Sequence, residues 1–261
     1  MIDLSGHAAL VTGSSQGVGQ AIAESLAAAG ANVVVHGAVN DDALNTVLEN
    51  CRSKDVQAEA IDGDLAGETE SCVESVFSKA IAAMPGIDIL INNAGTFREP
   101  AFLEMTPAIF ERTLRLNVAA GFFLTQAFSK KWIDEKTEGR VLFTGSINGM
   151  LAEPDHSAYD TSKGAVAMMV KTLCVALAPK KIRVNGIAPG LVRTPLTNVL
   201  DSDPALLEWM KIHTPNGQVP DAEVCGDTAA FLVSDAAKHI HGQMIFIDGG
   251  MSVWQQPDLP Q

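Results

Sequence analysis

The run Thr12-Gly13-Ser14-Ser15-Gln16-Gly17-Val18-Gly19 joins a short apolar segment, residues 8–12, to a helical pattern at 17–29. Glycines at such a junction let the backbone turn tightly and approach a pyrophosphate, whose charge the helix N-terminus stabilises. A second pair stands in a helical stretch at 158–177. Tyr159 and Lys163 are four residues apart, so both side chains project from one helix face. A free tyrosine has a pKa of about 10, so service as a base near neutrality requires about 4 kcal/mol of preference for the anion. A neighbouring ammonium has the sign to supply it. Tyr159 is the only tyrosine in the chain. The plainer alternative is a packing aromatic beside a solvated lysine.

Parallel strands are needed to bring these groups together. Val/Ile/Leu-rich runs at 8–12, 32–36, 56–61, 87–91, 140–144, 182–188 and 244–247 are apolar at consecutive positions, the pattern of strands buried on both faces. Helical stretches at 17–29, 67–83, 107–131, 158–177 and 221–234 alternate with them, and Thr106-Pro107 supplies an N-cap followed by proline at the first helical position. This alternation predicts βαβ crossovers: an α/β, Rossmann-type doubly wound sheet of about seven parallel strands with helices on both faces. With no linker or composition break, residues 1–261 read as a single domain. Residues 194–220 interrupt the alternation with several prolines and read as a substrate lid carrying a short helix.

Composition narrows the classes. Apolar residues make up 47% of the 261 residues, ample for a buried core. With 18 Lys+Arg against 31 Asp+Glu, the net charge of −13 disfavours nucleic acid and anionic membranes as partners. Cys51, Cys72, Cys174 and Cys225 are scattered, with no metal-ligand spacing, and read as thiols in a reducing compartment. No signal peptide or run of 18–20 uncharged apolar residues is evident, so the expectation is a cytoplasmic protein.

The glycine spacing is G-x-x-x-G-x-G, and further landmarks follow in register. Asn92-Asn93-Ala94-Gly95 follows the fourth strand, Asn117 lies in the next helix and Ser146 follows the fifth strand. Tyr159-x-x-x-Lys163 opens the following helix, and Pro189-Gly190 with Thr194 follow the sixth strand. On these residues the chain resembles the short-chain dehydrogenase/reductase family, over essentially residues 4–250. The resemblance implies hydride transfer between a nicotinamide cofactor and a substrate carbon. Tyr159 would exchange the hydroxyl proton, and Ser146 would stabilise charge on the substrate oxygen. Lys163 would lower the tyrosine pKa and hold the ribose hydroxyls, and Asn117 would hold a relay water. Asn117 has a second reading, an amide satisfying local backbone groups. For the cofactor, the resemblance implies Gly13, Ser15, Gln16, Gly17, Val18 and Gly19 at the pyrophosphate, Gly37 at the adenosine 2′ position, and Asp64-Leu65 at the adenine. Asn93, Ala94 and Gly95 would line the ribose, and Pro189, Gly190, Val192 and Thr194 the nicotinamide side, together with Tyr159 and Lys163. Asp64 has a second reading as a turn residue.

An acid about 20 residues past the glycines would bind the 2′-hydroxyl of NAD and repel the phosphate of NADP. Here that position is Gly37, between His36 and Ala38, and the family's basic NADP markers are replaced by Gln16 and Ala38. A phosphate could fit beside Ser14, Ser15 and His36, whereas Asp41 and Asp42 oppose it. The cofactor is therefore read as NAD or NADP, inclined to NADP. Specificity is expected from 96–100, 147–156 and 196–220, with Glu153, Asp155 and His156 suiting a sugar, polyol or small hydroxy compound and Met150, Leu151, Trp209 and Met210 adding apolar surface. The rivals are a 3-oxoacyl-carrier-protein reductase and a non-catalytic dinucleotide-binding regulator. His156 and His213 read as loop residues, Met168-Met169 as core or subunit contact, and no cluster suggests a metal. The resemblance further implies a homotetramer built on the helices at 107–131 and 158–177 and on the C-terminal strand and tail through Trp254.

Overall fold

Consecutive apolar positions do become strands here because the inner strands are covered on both faces. The computed structural model describes residues 2–97, 99–194 and 203–254. Strands β1 (Ala8–Val11), β2 (Asn32–Gly37), β3 (Ala58–Asp62), β4 (Ile89–Asn92), β5 (Arg140–Thr144), β6 (Arg183–Pro189) and β7 (Met244–Ile247) form one sheet in the order 3-2-1-4-5-6-7. Every pairing is parallel. The helices are α1 (Gly17–Ala28), α2 (Asp42–Arg52), α3 (Thr69–Ala83), α4 (Pro107–Leu114), α5 (Ala120–Glu135), α6 (Ser157–Leu177), α7 (Pro204–Ile212) and α8 (Glu223–Val233).

Alternate residues of each strand feed two cores. Ala9 and Val11 of β1 pack with Ile22 and Leu26 of α1 and Leu44 of α2, while α8 adds Ala229 and Leu232. Ala8 and Leu10 face the other way, toward Val76 of α3, Phe128 and Trp132 of α5, and Val166 and Val170 of α6. The expected doubly wound single domain is thus present. Strand order reverses between β1 and β4, the place where an open α/β sheet leaves a crevice at its carboxyl ends.

Three local departures have physical causes. The expected single helix at 107–131 is split: α4 passes into a π-helical turn, Arg115–Ala119, before α5 begins. Side-chain bonds of Asn117 hold this turn, and single π-turns of this kind cluster at functional sites. Helix α2 did not figure in the periodicity reading; Asp41 starts it by accepting from Leu44 N at 2.9 Å. The expected helix in the 194–220 segment is α7, capped by Asp203 with Pro204 at its first position, while residues 195–202 of that segment lie outside the described residues. Thr106 caps α4 as its sequence position suggested, accepting from Ile109 N.

The helix α6 with its short extension, Ser157–Lys180, is long and apolar enough by composition to cross a membrane. It packs on the sheet through Val166, Met169 and Val170. Within the expected Met168-Met169 pair, Met169 is core and Met168 is exposed.

Trp132 is fully buried, and its indole Nε1–H donates to Ile87 O at 2.7 Å, closing the loop before β4. Trp132→Phe should keep the fold but leave that carbonyl unpaired, costing about 1–3 kcal/mol in urea unfolding with cofactor affinity unchanged.

Candidate active site

The glycine-rich turn after β1, Asn93–Gly95 after β4, Ser146 after β5 and Gly190 after β6 all follow the carboxyl ends of neighbouring strands. Parallel strands bring β1 through β6 to one edge together, so segments far apart in the chain become neighbours.

The glycine-rich turn is built by its surroundings. Thr12 Oγ1 accepts from Asn93 N at 3.0 Å and Ala94 N at 3.1 Å, joining the ends of β1 and β4. Gly13 has φ +62°, and a Cβ there would lie 2.7 Å from Ala94 Cα, so only glycine fits. A Cβ on Gly19 would collide with the Gly13 carbonyl and the Asn93 amide. Gln16 is the N-cap of α1 without a side-chain cap bond, and the first turn holds no acid. The amide end of α1 is thus left for an anion, which fits a dinucleotide pyrophosphate. Ser15 is half-buried and Gln16 exposed at this end, with Gly17 and Val18 opening the helix.

Asn93 Nδ2 donates to Thr12 O and Gly13 O at 3.1 and 3.0 Å, bracing the turn. One expectation about this region is corrected: Ser14 and His36 do not offer a phosphate pocket. Ser14 is fully buried and its Oγ accepts from His36 N at 2.9 Å. The His36 ring is 2% exposed, Gly13 N donates to its Nδ1 at 3.1 Å, and Nε2 lies 3.0 Å from Gly63 O. With Nδ1 accepting, Nε2 carries the proton and donates, so the ring is a neutral clamp between the ends of β1 and β3. Burial lowers its pKa to about 4.

Gly37 ends β2 and carries no carboxylate, and Asp41 is engaged as the cap of α2. The Asp64 carboxylate accepts from Ala66 N at 2.9 Å, which is its turn reading, and remains exposed; Leu65 is buried. Gly95 is exposed beside Asn117, and Ala94 is half-buried. Gly190 N donates to Ile247 O at 3.0 Å, and a Cβ at Gly190 would lie 2.7 Å from Asp248 Cβ. Pro189 ends β6, Val192 is buried and Thr194 half-buried just beyond it.

Ser146, Tyr159 and Lys163 converge. Lys163 is buried, its Nζ donating to Thr144 O at 2.9 Å and standing 5.5 Å from the Tyr159 ring centre. Burial brings its pKa down to about 8. Burial also pushes the Tyr159 phenol above its ordinary value; a hydrogen bond with Ser146 pulls it down, while Asp160 and Glu153 add to the rise. Ser146, not Lys163, is the protein group that lowers the phenol here, and desolvation outweighs it. Asn117 Oδ1 accepts from Thr96 N at 2.8 Å, and Nδ2 donates to Thr96 O and Ser162 Oγ at 2.8 and 2.9 Å. Its side chain is thus engaged by partners distant in sequence, not by the backbone groups of its own helix that its second reading named.

Some contributors escaped the sequence reading. Asn148 N donates to Ser146 Oγ at 3.1 Å, and its Nδ2 donates to Asp160 Oδ1 at 2.8 Å, tying the serine to the helix of Tyr159. Position two after the serine was the available signal. Phe97 stands edge-on to Tyr159 with ring centres 6.4 Å apart. At the end of α7, His213 stacks on Trp209, with centres 3.9 Å apart. His156 lies 2.9 Å from the Glu153 carboxylate. All four cysteines are free, and no metal-binding cluster occurs among the described residues.

Residues 13–252 match a family model described as enoyl-(acyl carrier protein) reductase. The chain is 33% identical to the 3-oxoacyl-[acyl-carrier-protein] reductase of Aquifex aeolicus, covering 96% of this chain and 99% of that one. The chain belongs to the short-chain dehydrogenase/reductase family. It is accordingly an NAD(P)-dependent oxidoreductase of the class acting on CH–OH groups. It is also similar to the 5-keto-D-gluconate 5-reductase of Escherichia coli, at 32% identity over 97% of this chain and 98% of the relative. Among solved structures, a gluconate 5-dehydrogenase from Burkholderia cenocepacia in complex with NADP and tartrate superposes with a TM-score of 0.89 at 31% identity, over 97% of this chain and 98% of that one.

The neutral His36 clamp has a pH signature. Its folded pKa, about 4, lies below the ordinary 6.5, so its contribution to stability is complete above pH 6.5 and is lost as pH falls toward 4. About 3 kcal/mol should disappear across that window. Thermal melts of His36→Gln should show a flatter pH dependence there than the wild type; identical slopes would show that His36 does not carry the effect.

Proposed function

We propose that the enzyme interconverts a secondary alcohol and a ketone on a sugar, polyol or related small hydroxy compound. The observation carrying this reading is the convergence of Ser146, Tyr159 and Lys163 at the sheet edge beside the glycine-rich turn. The nicotinamide cofactor, when bound, supplies or accepts the hydride. In the reducing direction, Tyr159 Oη donates its proton to the substrate oxygen, and Ser146 Oγ donates a hydrogen bond that stabilises negative charge developing there. In the oxidising direction Tyr159 accepts the proton. Lys163, held by Thr144 O, keeps a positive charge on the Tyr159 side of the site and would hold the ribose hydroxyls of the cofactor. Asn117 fixes Thr96 and Ser162 around this centre; the relay water inferred from family resemblance would contact its backbone rather than its engaged amide.

The sugar reading draws on Glu153, Asp155 and His156 near Ser146, and on the similarity to two proteins named for keto-gluconate or gluconate chemistry. The carrier-protein reductase remains the second reading because the Aquifex relative carries that activity. An acidic carrier needs basic groups at the entrance, yet residues 194–220 contain one lysine, Lys211, against Asp201, Asp203 and Glu208. A silent cofactor-binding regulator is disfavoured by the complete Ser146/Tyr159/Lys163 set. NADP is the favoured cofactor, on the absence of a carboxylate at Gly37 and not on any basic pocket. We further propose a cytoplasmic homotetramer. Exposed Phe122, Phe123 and Ile133 on α5, Met168 and Val175 on α6, and Val253 in the tail support the assembly.

Tyr159→Phe should lower turnover by at least about a hundredfold while cofactor affinity, followed by nucleotide fluorescence, stays unchanged. Full activity in that variant would exclude the mechanism. Paired NADH and NADPH absorbance assays across keto-sugars and an acyl thioester should favour NADPH with the sugars; turnover of the thioester alone would select the rival.

A further inference from the structure

Helix α6 carries Tyr159 and Lys163, and its N-terminus lacks the usual cap. His156 occupies the N-cap position without a side-chain cap bond. The one acid of the first turn, Asp160, is turned away, its two oxygens accepting from Asn148 Nδ2 and Glu153 N. The exposed amides of a first helical turn need acceptors. They find them in a residue from another part of the chain: Glu99 Oε1 accepts from Ala158 N and Oε2 from Tyr159 N, each at 3.0 Å.

Glu99 belongs to the segment that leaves β4, and that segment is tied down along its length. Asn93 braces the glycine-rich turn, Thr96 exchanges two bonds with Asn117, and Glu99 clasps α6. Between the last two ties, Phe97 places its ring edge-on to Tyr159 and 6.0 Å from His156. One of the two amides that Glu99 grips is Tyr159's own. A carboxylate at this end of a helix is also favoured by the helix dipole.

We propose that Glu99 is a positioning residue for the reaction: by capping α6 across the fold, it sets the location of the Tyr159 phenol relative to Ser146 and keeps Phe97 against it. The proposal rests on the oxidoreductase reading above for its kinetic consequence, but not for its structural one. A Gln at this position keeps one accepting oxygen where Glu has two and lacks the charge, and Ala has neither. An Asp retains both oxygens and the charge on a shorter arm.

The lone tyrosine gives a direct readout, because near-ultraviolet phenolate absorbance reports Tyr159 alone. Glu99→Ala should let the helix start fray and expose the phenol. Relief of its desolvation moves its titration down toward the ordinary tyrosine value. The same variant should reduce kcat by roughly ten- to hundredfold, while the KM for the nicotinamide cofactor stays within about twofold. Hydrogen exchange at Ala158 and Tyr159 should accelerate, with Glu99→Gln intermediate and Glu99→Asp nearest the wild type. The proposal is overturned if Glu99→Ala leaves kcat, the Tyr159 titration and the exchange of those two amides at wild-type values. It is overturned equally if all three variants lose cofactor binding and cooperative unfolding together, since Glu99 would then serve the fold at large. Should the wild type turn over no carbonyl compound, the oxidoreductase reading fails, while the titration and exchange experiments still decide the role of Glu99.

Discussion

A phenol that must exchange protons in a site shielded from water faces opposed demands. Exclusion of water strengthens every interaction around the reacting atoms, yet it also disfavours the phenolate. In this protein desolvation is the largest influence on Tyr159, and the phenol stands above its ordinary pKa. The same burial weakens the nearest cation, bringing Lys163 down to about 8. The counterweights are the Ser146 hydroxyl and whatever positive charge the cofactor introduces. The architecture around Tyr159 makes sense as a means of holding those counterweights in place.

Much of that architecture consists of bonds between segments and not within them. Thr12 and Asn93 join β1 to β4, His36 joins the first turn to the end of β3, and Asn117 joins the π-turn to the segment after β4. Asn148 joins Ser146 to α6. Each uses a polar side chain with its hydrogen-bonding capacity largely satisfied, which is what burial of such groups requires. Together they make the carboxyl edge of the sheet a connected polar layer beneath the cofactor cleft, rigid where the glycine-rich turn must be held and left open at the amide end of α1.

The strongest correction has a plain origin. Ser14 and His36 looked available for a phosphate because their types suit one and they adjoin glycines. The fold instead directs them inward, to backbone groups of neighbouring segments. Residue type and spacing report what a side chain can bond; they do not report which partner arrives first. The split of the helix at 107–131 is a similar case, since Asn117 draws its partners from Thr96 and Ser162, distant in sequence.

Strand positions, the doubly wound sheet, the glycine turn and the Tyr159/Lys163 pair were legible from residue order, because hydrophobic period and local spacing are properties of contiguous chain. Family membership was legible too, since its landmarks occur in register. Only the tertiary structure decided that His36 is a neutral clamp, that Asn93 braces the turn, that Asn148 ties Ser146 to α6, and that Glu99 caps a helix starting 58 residues later in the chain. These are contacts across the fold, made when parallel strands bring their carboxyl ends to one edge, and no local pattern encodes which distant amide a carboxylate or imidazole will meet.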